Sequence, residues 1–230
     1  MSWHGMTNFV FLRVIKMRNS KKLILLVSFI MGMLCNAYAD GLTAINEFLQ
    51  TKNSTISADF TQTVYGKRKN IVSNGKMEIA RPNQFRWQYF EDGSMSQLIM
   101  SDGKTIYIYD DELQQVTEKK LGKSLGKSPA LLLAGGDNIR QDYNVISMPT
   151  ESKVDWVLLT PKKAANNNGF KSVQIGFNTV GGTLAGMKFI DNFDNKSSIT
   201  FTNVKTGINF SSREFKFVVA PGVDVIKDNN

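Results

Sequence analysis

The chain has 230 residues, 28 of them basic and 20 acidic, with a formal net charge of +8. Five of the 28 basic residues and none of the acids precede residue 40, so the remainder carries 23 against 20, a net +3, and a nucleic-acid ligand loses its electrostatic support. The single histidine (His4) and the single cysteine (Cys35) fall in the same stretch, which excludes Cys-His or Ser-His-Asp nucleophiles, His or Cys zinc sites and disulfides from residue 40 onward.

Residues 1–39 read as an export signal. Arg18, Lys21 and Lys22 make a positive start, Leu23 to Leu34 is apolar, and Ala37-Tyr38-Ala39 is a small-x-small cleavage site ahead of Asp40. The apolar run is shorter than the roughly 20 residues that span a bilayer. Bulky Leu34 before Cys35 argues against a lipid-modified cysteine. Met17 is read as the translation start, and residues 40–230 as one domain with an ordinary core.

Asp40 to Lys52 has Leu42, Ile45, Phe48 and Leu49 on one helical stripe. Ile56 to Tyr65 alternates as a strand and leads into the basic loop Gly66-Lys67-Arg68-Lys69-Asn70. That loop reads either as a solvated hairpin tip or as a surface for anionic headgroups or an acidic partner. Val72 to Ala80 is the next strand, and Arg81-Pro82-Asn83 turns the chain. Phe85, Trp87 and Tyr89 then alternate with Gln84, Arg86 and Gln88, giving a strand with an aromatic face. Asp102-Gly103 between apolar runs predicts a type I′ hairpin turn. Leu113 to Glu118 is a further strand.

Lys119 to Lys127 lacks periodicity. Ser128 to Gly136 has a helix N-cap, a proline at the first position and glycine after the end, and its apolar residues suit a core-capping turn or a lid. Strands are expected again at 139–148, 154–160, 171–178, 183–191, 196–204 and 213–219, with turns at Gly181-Gly182 and Asn192 to Asn195. The count, about eleven strands with helices only at the start and middle, predicts one curved antiparallel sheet. Ile106 to Tyr109 and Val154 to Leu159 are apolar on both faces. Helices should therefore cover one face, with a ligand or partner available for the other. The acids Asp110, Asp111 and Glu112 are the one cluster that a carboxylate hydrolase could use. Adjacent residues in a turn diverge, so they read as a solvated tip.

RPNQFRW (81–87), SDGKTIYIY (101–109), SPALLLA (128–134), VLLTPK (157–162) and FKFVVAPGVDV (215–225) resemble, in that order, the periplasmic outer-membrane lipoprotein carriers of the LolA family. The resemblance runs from the leader nearly to the C-terminus. It implies a mainly β fold, an unclosed antiparallel barrel with a helical lid over an apolar cavity. It implies a monomeric periplasmic chaperone with no catalytic residue, metal or cofactor. Such a carrier takes acylated outer-membrane lipoproteins from an inner-membrane ABC transporter and passes them to an outer-membrane receptor.

Within the match, Arg81 takes the place of the arginine that holds the lid closed through backbone carbonyls. Leu49 belongs to the first lid helix, and Leu131, Leu132, Leu133 and Ala134 to the second lid segment. Phe85, Trp87, Leu98 and Met100 are assigned to the cavity, Phe85 at a position tied to lipid and transporter contact. Ala80 stands where a basic residue often precedes the arginine, and Gly135-Gly136 follow the lid, so its exit geometry is the point of departure. A carrier of another lipid on the same fold is the alternative. The receptor itself would need a modified cysteine at its mature N-terminus.

Overall fold

The computed structural model describes residues 41–50, 55–121, 128–135, 139–162 and 169–228. The expected export segment, most of the 119–127 stretch and the end of the lid at Gly136 lie outside the described residues.

The first helix, α1 (Gly41–Gln50), is followed by a meander of β1 (Thr55–Tyr65), β2 (Ile71–Ala80), β3 (Gln84–Glu91), β4 (Ser94–Asp102), β5 (Thr105–Asp110) and β6 (Gln115–Lys120). Two short helices come next, α2 (Pro129–Ala134) and α3 (Ile139–Asp142). A second meander runs through β7 (Tyr143–Ser147), β8 (Val154–Pro161), β9 (Phe170–Asn178), β10 (Leu184–Asp191) and β11 (Lys196–Thr206), and β12 (Asp224–Asp228) ends the described chain. Pairing of β1 with β11 joins the meanders into one sheet, ordered β12-β6-β5-β4-β3-β2-β1-β11-β10-β9-β8-β7. Its two edges, β12 and β7, do not meet, so the barrel is unclosed.

The inner face carries the main core. Ile56, Ala58, Phe60, Met77, Ile79, Phe85, Trp87, Val157, Ile175, Phe177 and Met187 lie on it, all at most 3 % exposed. Alternation puts them there because a strand residue and its second neighbour share a face. Close approach is secured by two glycines. A Cβ on Gly41 would lie 2.5 Å from the Trp156 carbonyl oxygen, which lets the start of α1 press onto β8. One on Gly75 would lie 2.2 Å from the Phe60 ring.

Several expectations are corrected. The 139–148 strand begins only at Tyr143, because Ile139–Asp142 is helical. Asp102 ends β4 instead of occupying a type I′ turn; its carboxylate accepts from the amides of Lys104 and Thr105, both at 2.8 Å, and Gly103 alone takes a positive φ. The Asp-Gly pair with both residues at positive φ is Asp92-Gly93, at 49° and 82°, between β3 and β4. The stretch 213–219 forms no strand, and β12 runs parallel to β6, so the sheet is not wholly antiparallel.

What resembled a strand there is part of an arm that covers the outer face of β4 to β6. Phe217 stacks on Tyr107 with ring centroids 4.9 Å apart, and Glu214 accepts from Arg86 at 3.0 Å. Leu98, Met100, Tyr109 and Val116 form a second small core beneath it. The cover on this face is thus the chain itself. Truncating half-buried Phe217 to alanine should cost about 1–2 kcal/mol, less than a fully buried phenylalanine. The expected result is faster proteolysis within 208–223 and no change at the lid; equal cleavage rates would show that the stack does not hold the arm.

Candidate functional site

The lid forms from two pieces that could not be stable alone. The six-residue α2 starts at Ser128, whose Oγ accepts from the Ala130 amide at 3.3 Å, with Pro129 in the first turn. Its Ala130, Leu131, Leu132, Leu133 and Ala134 are all buried, on the inner face of the sheet. An isolated helix of this length does not persist in water, so contact with the sheet supplies its stability. Helix α1 brings Leu42, Phe48 and Leu49 to the same core, with Phe48 5.4 Å from Phe177 between ring centroids.

Arg81, at the turn between β2 and β3, ties both pieces to the sheet. It is only 7 % exposed. Its Nε donates to the Leu133 carbonyl at 2.9 Å, and its Nη1 donates to the Phe48 carbonyl. Leu133 belongs to the last turn of α2, where carbonyls have no intrahelical partner and the helix dipole favours a cation; Phe48 lies near the end of the described part of α1. The guanidinium also lies 4.0 Å over the Phe48 ring. Two turn residues later, the Asn83 amide donates to the Ala134 carbonyl at 3.0 Å. A planar fork with several donors suits this convergence in a way that an ammonium does not.

The site residues read from the sequence therefore separate into two groups. Arg81, Leu49, Leu131 to Ala134, Phe85 and Trp87 come together at the lid and the inner face. Leu98 and Met100 do not; they point to the outer face, under the arm. They alternate with Ile99 and Ser101, which pair with Trp87 and Phe85 across the strands and share their face. Phe48 and Asn83 escaped the sequence reading as parts of this hydrogen-bonded cluster. Phe48 contributes a backbone atom, which its side-chain type cannot signal; Asn83, with φ at 65°, has a turn signal alone.

Exposure of the inner face is graded. Along β3, Phe85 and Trp87 are buried and Tyr89 is half-buried; along β1, Phe60 is buried and Val64 is half-buried; along β5, Ile106 is buried and Ile108 is half-buried. The lid covers the end near Arg81, and the face opens toward the far end of the sheet. Tyr89 donates to Gln62 at 2.9 Å there, and burial pushes its hydroxyl pKa up, so it stays a neutral donor. A cavity of about 410 Å³ opens on the other face, between Leu98, Met100, Tyr109 and the arm residues Phe217 and Val223. Under the lid, Leu131, Leu132 and Leu133 are buried in the main core of the inner face.

A family model described as outer membrane lipoprotein carrier protein LolA matches residues 51–218. The outer-membrane lipoprotein carrier protein of Chromobacterium violaceum is 37 % identical over 195 residues, covering 85 % of this chain and 91 % of that one. Its counterpart in Neisseria meningitidis serogroup C is 36 % identical over 193 residues, covering 84 % and 90 %. An uncharacterized conserved protein from Thermus thermophilus superposes with a TM-score of 0.52 at 9 % identity, covering 81 % of this chain and 98 % of that one, a likeness of fold alone.

Proposed function

The chain belongs to the outer-membrane lipoprotein carrier family, and from that premise we propose that it is a periplasmic chaperone for acylated lipoproteins. It shields their acyl chains on the inner face of the sheet and gives them up at the outer membrane. Release from an inner-membrane ABC transporter and receipt by an outer-membrane receptor are part of this reading, as are removal of residues 1–39 and a non-enzymatic, monomeric carrier.

The observation that carries it is the lid on Arg81. The inner face is apolar and aromatic, so its grip on an acyl chain is broad and undirected. Burying acyl methylenes is worth about 0.8 kcal/mol each, which makes free diffusion of a lipid-anchored protein through water untenable. Yet the same face is occupied by Leu131, Leu132 and Leu133. Cargo and lid would compete for it, and this competition makes binding reversible. Hydrogen bonds from Arg81 set the balance, because they exist only while the lid is down.

The test is release from spheroplasts. The exported protein, added to the medium, should recover an acylated outer-membrane lipoprotein as a soluble complex. Recovery of a free lipid without protein cargo would move the reading to a carrier of another lipid on the same fold.

A further inference from the structure

We propose that the open rim of the sheet, formed by the β1–β2 and β10–β11 hairpin tips, docks on a bilayer surface rich in anionic lipid. This rests on the carrier reading but concerns a different surface from the lid.

The two tips are neighbours because β1 pairs with β11, with Tyr65 opposite Lys196 and Val64 opposite Ser197. Apolar side chains are unusually exposed there: Phe193 at 86 %, Ile71 at 63 %, Val72 at 60 % and Tyr65 at 48 %. A folded protein gains nothing in water from exposing four large apolar groups together, and such groupings mark interaction surfaces. Lys67, Arg68 and Lys69 sit in the same hairpin tip, exposed, with Lys196 across the strand pair. These four cations make no ion pair among the described residues. Nearby acids are already engaged: Asp194 pairs with Lys171 at 2.6 Å. Asp191 accepts from the Phe193 and Asn195 amides and the Asn195 side chain, which hold its carboxyl below the usual range.

Long basic side chains around exposed aromatic and aliphatic groups suit a headgroup region, where apolar parts enter the boundary and cations meet phosphates. An acidic protein surface would match the charge but leave Phe193 and Ile71 without a comparable medium. The location fits the use. The inner face is sealed by the lid at the Arg81 end and becomes half-exposed toward this rim, through Val64 and Tyr89. Docking by these tips would therefore turn the open end of the acyl-binding face toward the membrane. Glu91, Asp92 and the acids at 110–112 lie at the same end but on the β3–β4 and β5–β6 tips, so an anionic surface would repel that side and fix a tilt.

The experiment is co-sedimentation of the exported form, from Asp40 on, which contains every described element, with vesicles free of lipoprotein. Vesicles are equimolar phosphatidylglycerol and phosphatidylcholine, or phosphatidylcholine alone. Binding is expected to the first and not the second, and to fall when salt is raised to about 0.5 M. Reversing Lys67, Arg68 and Lys69 to glutamate should lower the partition coefficient at least 100-fold, on the basis of about fivefold per basic residue lost. Phe193→Ser should lower it several-fold. Val180→Ser, equally exposed on the opposite end of β10, should leave it unchanged. Equal binding to both vesicle types, no binding to either, or reversal variants that bind like the parent would overturn the proposal. Cargo recovery from spheroplasts distinguishes the two readings: a protein that collects lipoprotein without binding anionic vesicles is a carrier that docks on protein partners only.

Discussion

Arg81→Leu is expected to leave the lid open and to stop delivery of cargo while its uptake continues. Leucine removes the donors to the Leu133 and Phe48 carbonyls. With the lid down, the buried Leu133 carbonyl would lose this donor at about 1–3 kcal/mol, and the half-buried Phe48 carbonyl would lose its own at a smaller cost. With the lid up, water satisfies both, but Leu131 to Ala134 lose their burial. A shift of about 3 kcal/mol between these states changes their ratio by roughly 100-fold. Closure then no longer competes with bound acyl chains, so cargo stays on the carrier. Transfer to outer membranes should fall below about a tenth of normal, on that population argument. Acrylamide quenching of Trp87, only 2 % exposed beneath the closed lid, should rise. Arg81→Lys should lie between the two, since one ammonium cannot reproduce the planar fork. Normal delivery with unchanged quenching would remove Arg81 from the mechanism.

Gly75→Ala should be the most damaging single-methyl change in the sheet. The added Cβ would stand 2.1 Å from the Gln88 carbonyl oxygen and 2.2 and 2.5 Å from two Phe60 ring atoms. No φ strain is involved; the lack is of space. Phe60 cannot retreat freely, because its ring lies 4.6 Å from Trp87 and 5.3 Å from Tyr89 between centroids. Overpacking of this kind costs about 1–3 kcal/mol, and the backbone contact places it at the upper end. For a domain of this size that is a fall in Tm of about 6–10 °C by thermal unfolding. Adding Phe60→Leu should restore part of the loss, because it relieves the ring contacts and not the one to Gln88. A double variant no more stable than Gly75→Ala would show that the carbonyl contact dominates.

Both results depend on a division visible along the chain. The sequence by itself determined what short-range periodicity can carry. Alternation named Phe85, Trp87 and Tyr89 as one face of a strand. Ser128, Pro129 and the leucines after them marked a short helix that needed an apolar support. The 81–87 motif pointed to Arg81, through family resemblance and not through any local property of an arginine in a turn.

Only the tertiary structure decided which face of a doubly apolar strand meets which cover. Leu98, Ile99 and Met100 are consecutive and all apolar, so their pattern has no sign; the arm from 208 to 223 claimed Leu98 and Met100, and the inner face kept Ile99. Phe215 and Phe217 alternate like a strand, yet their segment finds no ladder, and the chain returns to the sheet only at Asp224, parallel to β6. The type I′ turn expected at Asp102-Gly103 failed for a reason beyond the sequence, because the Asp102 carboxylate found backbone amides that drew it out of the turn. The hydrogen bonds of Arg81 are the clearest case. Their acceptors are backbone carbonyls of Phe48 and Leu133, 33 and 52 residues away in the chain. Every residue carries such a carbonyl, so side-chain identity cannot mark them, and only packing of both helix ends against one turn makes them converge.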